Sequence, residues 1–66
     1  MQNRIKRYRI QKGLSQKELA SLCDVSRQTI NAIENDKYDP SLQLAFNLAG
    51  TLGVTVDQLF LHEGDG

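Results

Sequence analysis

Gln16-Lys17-Glu18-Leu19-Ala20-Ser21-Leu22-Cys23-Asp24-Val25-Ser26-Arg27-Gln28-Thr29-Ile30-Asn31-Ala32-Ile33-Glu34-Asn35 is the stretch on which the fold turns. Leu19, Leu22 and Cys23 share one helical face and Ile30 and Ile33 another, with Ala20 and Val25 between them. Two apolar stripes so close in the chain must pack on each other. Ser15 followed three residues later by Glu18 is a capping box, which starts a helix at Gln16. Ser26 is a second N-cap, so the connector is only about residues 23 to 25 and the helices cross steeply. Ala20 is small where such a crossing needs a small side chain.

An ordinary helical hairpin would place these apolar residues in a core and leave the polar ones in water. The polar side chains of the second helix argue for more. Arg27, Gln28, Thr29 and Asn31 cluster in its first turns, and these types hydrogen-bond base edges and phosphates, whereas a merely solvated helix is richer in Glu and Lys. The expectation is a helix-turn-helix over residues 16–35 whose second helix, 26–34, enters the major groove of DNA.

Outward from this stretch, a first helix is expected over about residues 2–12, with Ile5 and Tyr8 inward, Gly13 ending it and Leu14 anchoring the connection. Asn35-Asp36-Lys37 reads as a turn. Asp39 before Pro40 predicts the start of a fourth helix, with Leu42, Ala45, Leu48, Ala49 and Leu52 inward and Gly53 as its stop. Thr55 with Gln58 is another capping box, opening a short fifth helix that returns Val56, Leu59 and Phe60 to the core. Residues 62–66 form a polar tail expected to fray. The fold class is therefore all-α, a compact five-helix bundle in a single domain spanning 1–66. Leu44, Phe46 and Leu61 lie off the inward stripes and are the candidates for a subunit contact.

Sixty-six residues with 39% hydrophobic and 24% charged side chains suit one small globular domain. A chain of this size buries only about 60% of the surface its unfolded form exposes, so dimerisation would help it. The zero net charge hides an uneven distribution. All eight Lys and Arg lie in residues 1–37 against four acids, giving +4, while residues 38–66 carry four acids and no Lys or Arg, giving −4. A cationic half that contains the reading helix fits one face turned to phosphate. Lone Cys23 and lone His62 provide neither an internal disulfide nor a metal pair, and Cys23 reads as core. No cofactor and no metal is expected. With one Cys, one His, no glycine-rich phosphate loop and a chain too short for a cleft, an enzyme is not expected either. No apolar run approaches the roughly 20 residues of a membrane span and the basic start lacks a signal-peptide core, so a cytoplasmic protein is expected.

The chain resembles the Cro/cI-type helix-turn-helix domain, the XRE family of phage repressors and small prokaryotic regulators, over residues 4–61. The resemblance rests on Leu14-Ser15-Gln16-Lys17-Glu18-Leu19-Ala20, Val25-Ser26-Arg27-Gln28-Thr29-Ile30, Ile33-Glu34-Asn35, Tyr38 with Pro40-Ser41-Leu42, and the ending Leu52-Gly53-Val54 to Leu59-Phe60. It implies a lambda-repressor-like fold and a sequence-specific regulator of transcription, expected to be a repressor acting as a homodimer on a double-stranded operator. By the same resemblance Gln16 binds a phosphate and braces the reading helix. Arg27, Gln28 and Ala32 face base edges, Ser26, Thr29, Asn31 and Asn35 make mixed contacts, and Lys37 and Tyr38 reach the DNA backbone. Arg9 and Glu34 match a partly buried structural salt bridge. The chain departs from the pattern at Asp24 and Asp36, where glycine is common, and an acid at 36 would stand near phosphates. The competing class is an antitoxin or protein-interaction adaptor that retains the fold.

Overall fold

The computed structural model describes residues 1–61; the expected fraying of 62–66 lies outside the described residues. Five helices follow in order: α1 (Ile5–Gln11), α2 (Gln16–Leu22), α3 (Arg27–Glu34), α4 (Leu42–Leu52) and α5 (Val56–Leu59). Each boundary has a chemical cause. Ser15 Oγ accepts the Glu18 N–H at 2.9 Å while the Glu18 carboxylate accepts the Ser15 N–H at 2.8 Å, completing the predicted box. That backbone hydrogen bond, joined by the one from the serine hydroxyl side, holds the Glu18 carboxyl below its ordinary pKa. Thr55 and Gln58 form the same reciprocal pair ahead of α5, and Ser26 caps α3. Gly53 closes α4 at φ 73° and Gly13 follows α1 at φ 72°, a conformation in which a Cβ is strained. Asp24 (φ 58°) and Asp36 (φ 60°) take the same left-handed conformation in the turns after α2 and α3, where the family pattern commonly carries glycine.

Two helix starts differ from the sequence expectation. Helix α1 begins at Ile5, not near residue 2, because the backbone of residues 2–4 bonds elsewhere: Arg4 N–H donates to Leu59 O at 2.8 Å and Leu61 N–H to Gln2 O at 2.9 Å. An isolated antiparallel bridge thus sets Asn3 opposite Phe60. Helix α4 begins at Leu42, capped by Ser41 Oγ accepting the Leu44 N–H at 3.1 Å, not at Asp39-Pro40. The Asp39 carboxylate instead faces the Met1 amine at 2.9 Å.

The core gathers Ile5, Leu19, Ile30, Ile33, Leu48 and Leu59, all fully buried, with Ala20, Cys23, Leu44, Ala45, Ala49, Leu52 and Phe60 around them. Tyr8, Leu14, Val25, Val54 and Val56 pack against it half-buried. Leu22, expected inside, is 62% exposed. At about 100° per residue, Leu19, Cys23 and Ala20 define a buried arc, and buried Ala20 pulls its centre away from Leu22. The same phase argument corrects α4. Leu44 is buried rather than free for a subunit contact, because with Ala45, Leu48, Ala49 and Leu52 it completes the inward arc, while Leu42 is 69% exposed. Cys23 is buried with its Sγ 3.7 Å from Thr51 Oγ1, a core position.

Leu48→Ala is expected to remove about 2 to 5 kcal/mol, enough to unfold most of so small a domain, while Leu22→Ala stays within about 0.5 kcal/mol of the parent. Chemical denaturation followed by circular dichroism checks both, and a large loss for Leu22→Ala would contradict its exposed placement.

Candidate nucleic-acid interface

Helix α3 presents two faces because its apolar and polar residues follow one helical period in opposite phase. Ile30 and Ile33 are buried, whereas Arg27, Gln28, Asn31 and the following Asn35 are exposed and fall within about 100° of arc. These four form a continuous strip of donors and acceptors. Ala32 flanks the strip half-buried, and Thr29, also half-buried, lies on the opposite side. Ser26 and Thr29 are engaged in the helix start, where Ser26 Oγ accepts the Thr29 N–H at 3.1 Å and lies 3.0 Å from Thr29 Oγ1. Asn35 Nδ2 donates to Asn31 O at 2.8 Å, folding the Asn35 amide onto the helix end. Lys37 and Tyr38 are exposed in the loop beyond it.

The angle of α3 is set from behind. Arg9 Nε and Nη2 donate to the two oxygens of Glu34 at 2.7 and 3.2 Å, and Arg9 Nη1 donates to Leu14 O at 3.0 Å. Gln16 Nε2 donates to Glu34 Oε1 at 3.0 Å. The Arg9 and Glu34 side chains are only 11% and 4% exposed. One carboxylate at the last residue of α3 therefore joins α1 to the first residue of α2. Arg9 is spent in this network, and Gln16 is half-buried with its amide turned to Glu34.

The exposed cations Arg4, Lys6, Arg7, Lys12, Lys17, Arg27 and Lys37 remain at the surface of the first half. Asp36 is exposed beside Lys37. Among the described residues no cluster of His, Cys, Asp and Glu could hold a metal ion, and no helix is long and apolar enough to cross a membrane. Of the three subunit-contact candidates, Phe46 is exposed, Leu61 is half-buried and Leu44 is withdrawn into the core. A residue that the sequence did not single out is Asn3, whose Nδ2 donates to Ile33 O at 2.8 Å at the end of α3. A polar residue ahead of a helix gives only a capping signal; its reach to residue 33 is invisible in the chain.

A helix-turn-helix family model matches residues 5–59. The chain belongs to the XRE-type helix-turn-helix family of transcriptional regulators. An uncharacterized helix-turn-helix-type transcriptional regulator of Methanocaldococcus jannaschii is 51% identical over 65 residues, covering 98% of each chain. The immunity repressor protein of Bacillus phage phi105 is 39% identical over 60 residues, which are 91% of this chain and 42% of that one. Among solved structures, the master regulator of biofilm formation SinR in complex with DNA superposes with a TM-score of 0.75 at 37% identity, over 80% of this chain and 86% of that one. The family and these relatives are DNA-binding regulators of transcription, not enzymes.

Glu34→Ala is expected to lower stability by about 3 kcal/mol, because it leaves the Arg9 guanidinium buried without its carboxylate. Thermal unfolding checks this, and equal midpoints for variant and parent would remove the network from the determinants of the fold.

Proposed function

We propose that this domain is a sequence-specific double-stranded DNA-binding repressor that inserts α3 into the major groove as a homodimer. The observation that carries the reading is the exposed strip of Arg27, Gln28 and Asn31 on a helix whose opposite face and last residue are locked into the core. A groove reader needs this pairing, since side chains can discriminate base edges only when their helix is held at a fixed depth and angle. Arg27 takes a guanine through its paired N–H groups, Gln28 an adenine, and Ala32 meets a thymine methyl at the edge of the strip. Gln16, Ser26, Asn31 and Asn35 supply contacts to phosphates and bases, whereas Thr29, turned away from the strip, serves the start of the helix, and Lys37 and Tyr38 contact the backbone from the loop. The solved relative SinR in complex with DNA supports DNA binding, and the phage immunity repressor supports repression.

The homodimer has support in the surface of the second half. Leu42 and Phe46, one turn apart on α4, are 69% and 58% exposed. Beside them an apolar groove of about 550 Å³ is walled by Leu42, Ala45, Val56, Phe60 and Leu61. A second copy covering this face would remove the exposed apolar side chains from water and add stability that 66 residues find hard to supply alone. A twofold pair of α3 helices then meets successive major grooves about 34 Å apart, and occupancy of a promoter blocks polymerase.

In-vitro selection from a random duplex pool is expected to return a pseudo-palindrome with half-sites about one helical turn apart. An unenriched pool overturns base reading, and a single unrepeated half-site overturns the homodimer. Arg27→Ala should relax preference at one base position by about 1 to 3 kcal/mol, whereas Lys37→Ala should weaken all sequences alike and reduce the salt slope by about one. Specificity profiling across salt concentrations checks both, and an unaltered profile for Arg27→Ala removes it from the readout.

A further inference from the structure

Residues 2–4 lie between the two functional regions and are held on both sides. Their main chain pairs with the end of α5 through Arg4 N–H to Leu59 O and Leu61 N–H to Gln2 O, at 2.8 and 2.9 Å. The Asn3 side chain reaches the other way. Its Nδ2 donates to Ile33 O at 2.8 Å and lies 3.4 Å from Asp36 Oδ1 and 3.3 Å from Met1 O, while its Oδ1 accepts the Ile5 N–H at 3.2 Å.

The Ile33 carbonyl belongs to the last turn of α3, where backbone acceptors lack partners inside the helix. It also accepts the Asp36 N–H at 3.1 Å, so one oxygen ties both Asn3 and the turn that leads to Lys37. Asp36 is held at φ 60°, a conformation a non-glycine residue leaves readily when restraint is lost. An amide is suited to this position because it offers a donor and an acceptor on one planar group. A serine retains the acceptor for Ile5 but is too short to span to residue 33, and it adds no charge.

We infer that Asn3 is a positioning residue for DNA binding, tying the end of α3 and its turn to the strand-like pairing beside α5 and thereby fixing where Lys37 and Tyr38 stand against the phosphate backbone. The inference rests on the DNA-reading proposal. It assigns Asn3 no contact with DNA.

The test compares Asn3→Ser with the parent in two measurements, amide hydrogen exchange of the free protein and binding to the selected operator over a salt series. Exchange at Asp36 and Lys37 should accelerate several-fold with the α1 amides unchanged. Operator affinity should fall about fivefold, the scale of one lost hydrogen bond, with a salt slope shallower by about one phosphate contact. In a double-mutant cycle, Asn3→Ser should add little in a Lys37→Ala background, because both act on the same contact. Uniformly faster exchange in all helices, an affinity loss with unchanged salt slope, or full additivity with Lys37→Ala would each reduce Asn3 to a general stabiliser and overturn the inference. If Arg27→Ala relaxes specificity while Asn3→Ser binds like the parent, only this inference fails. If the parent selects no DNA sequence, the DNA reading fails and the inference falls with it.

Discussion

A carboxylate withdrawn from water must find donors, and the way Glu34 finds them determines the geometry of everything around α3. Its oxygens accept from Arg9 Nε and Nη2 and from Gln16 Nε2, so one side chain draws α1, α2 and α3 to a common point. An apolar contact at that place would add burial without direction. The forked guanidinium and the planar carboxylate meet side by side, so the network specifies angle as well as proximity. The energetic contribution of such a pair against an apolar replacement is small, but losing either partner leaves a buried charge, which makes the arrangement all-or-none.

The rest of the domain is arranged so that little else has to specify α3. Ile30 and Ile33 supply burial, Ser26 terminates the helix at one end, and at the other the Ile33 carbonyl is taken up by Asn3 and Asp36. Short helices with capped ends suit a chain of 66 residues, in which fraying would expose a large share of the core. The pairing of residues 2–4 with the end of α5 closes the bundle, bringing both ends of the described chain to the side where α4 and α5 leave apolar surface uncovered.

Much of this architecture is legible in the chain because it is local. Capping boxes at Ser15 and Thr55, the N-cap at Ser26, the left-handed stops at Gly13 and Gly53, and the left-handed aspartates at 24 and 36 each depend on residues within a few positions of one another. The Arg9–Glu34 contact was legible only through resemblance, since no spacing rule joins residues 25 apart. Helix phase is less legible. Counting Leu22 and Leu42 inward and Leu44 outward treats every apolar residue near the stripe as equivalent, whereas Ala20 draws the buried arc of α2 away from Leu22, and Leu44 beside Leu48 draws that of α4 away from Leu42. The start of α4 is ambiguous in the chain because Asp39-Pro40 and Ser41 are both competent starts, and Ser41 caps the helix while the Asp39 carboxylate is engaged with the Met1 amine. Asn3 was illegible for the same reason that long-range pairing always is.

The division of α3 into a locked side and a free side has an evolutionary consequence. Ile30, Ile33 and Glu34 hold the helix, while Arg27, Gln28 and Asn31 are exposed and add nothing to the buried core. Substitutions on the free side therefore alter which surface the helix complements without drawing on the small stability of the domain. A scaffold built this way can be duplicated and retargeted by a handful of exposed changes, each viable on its own, so that new specificities are reached through a series of folded intermediates.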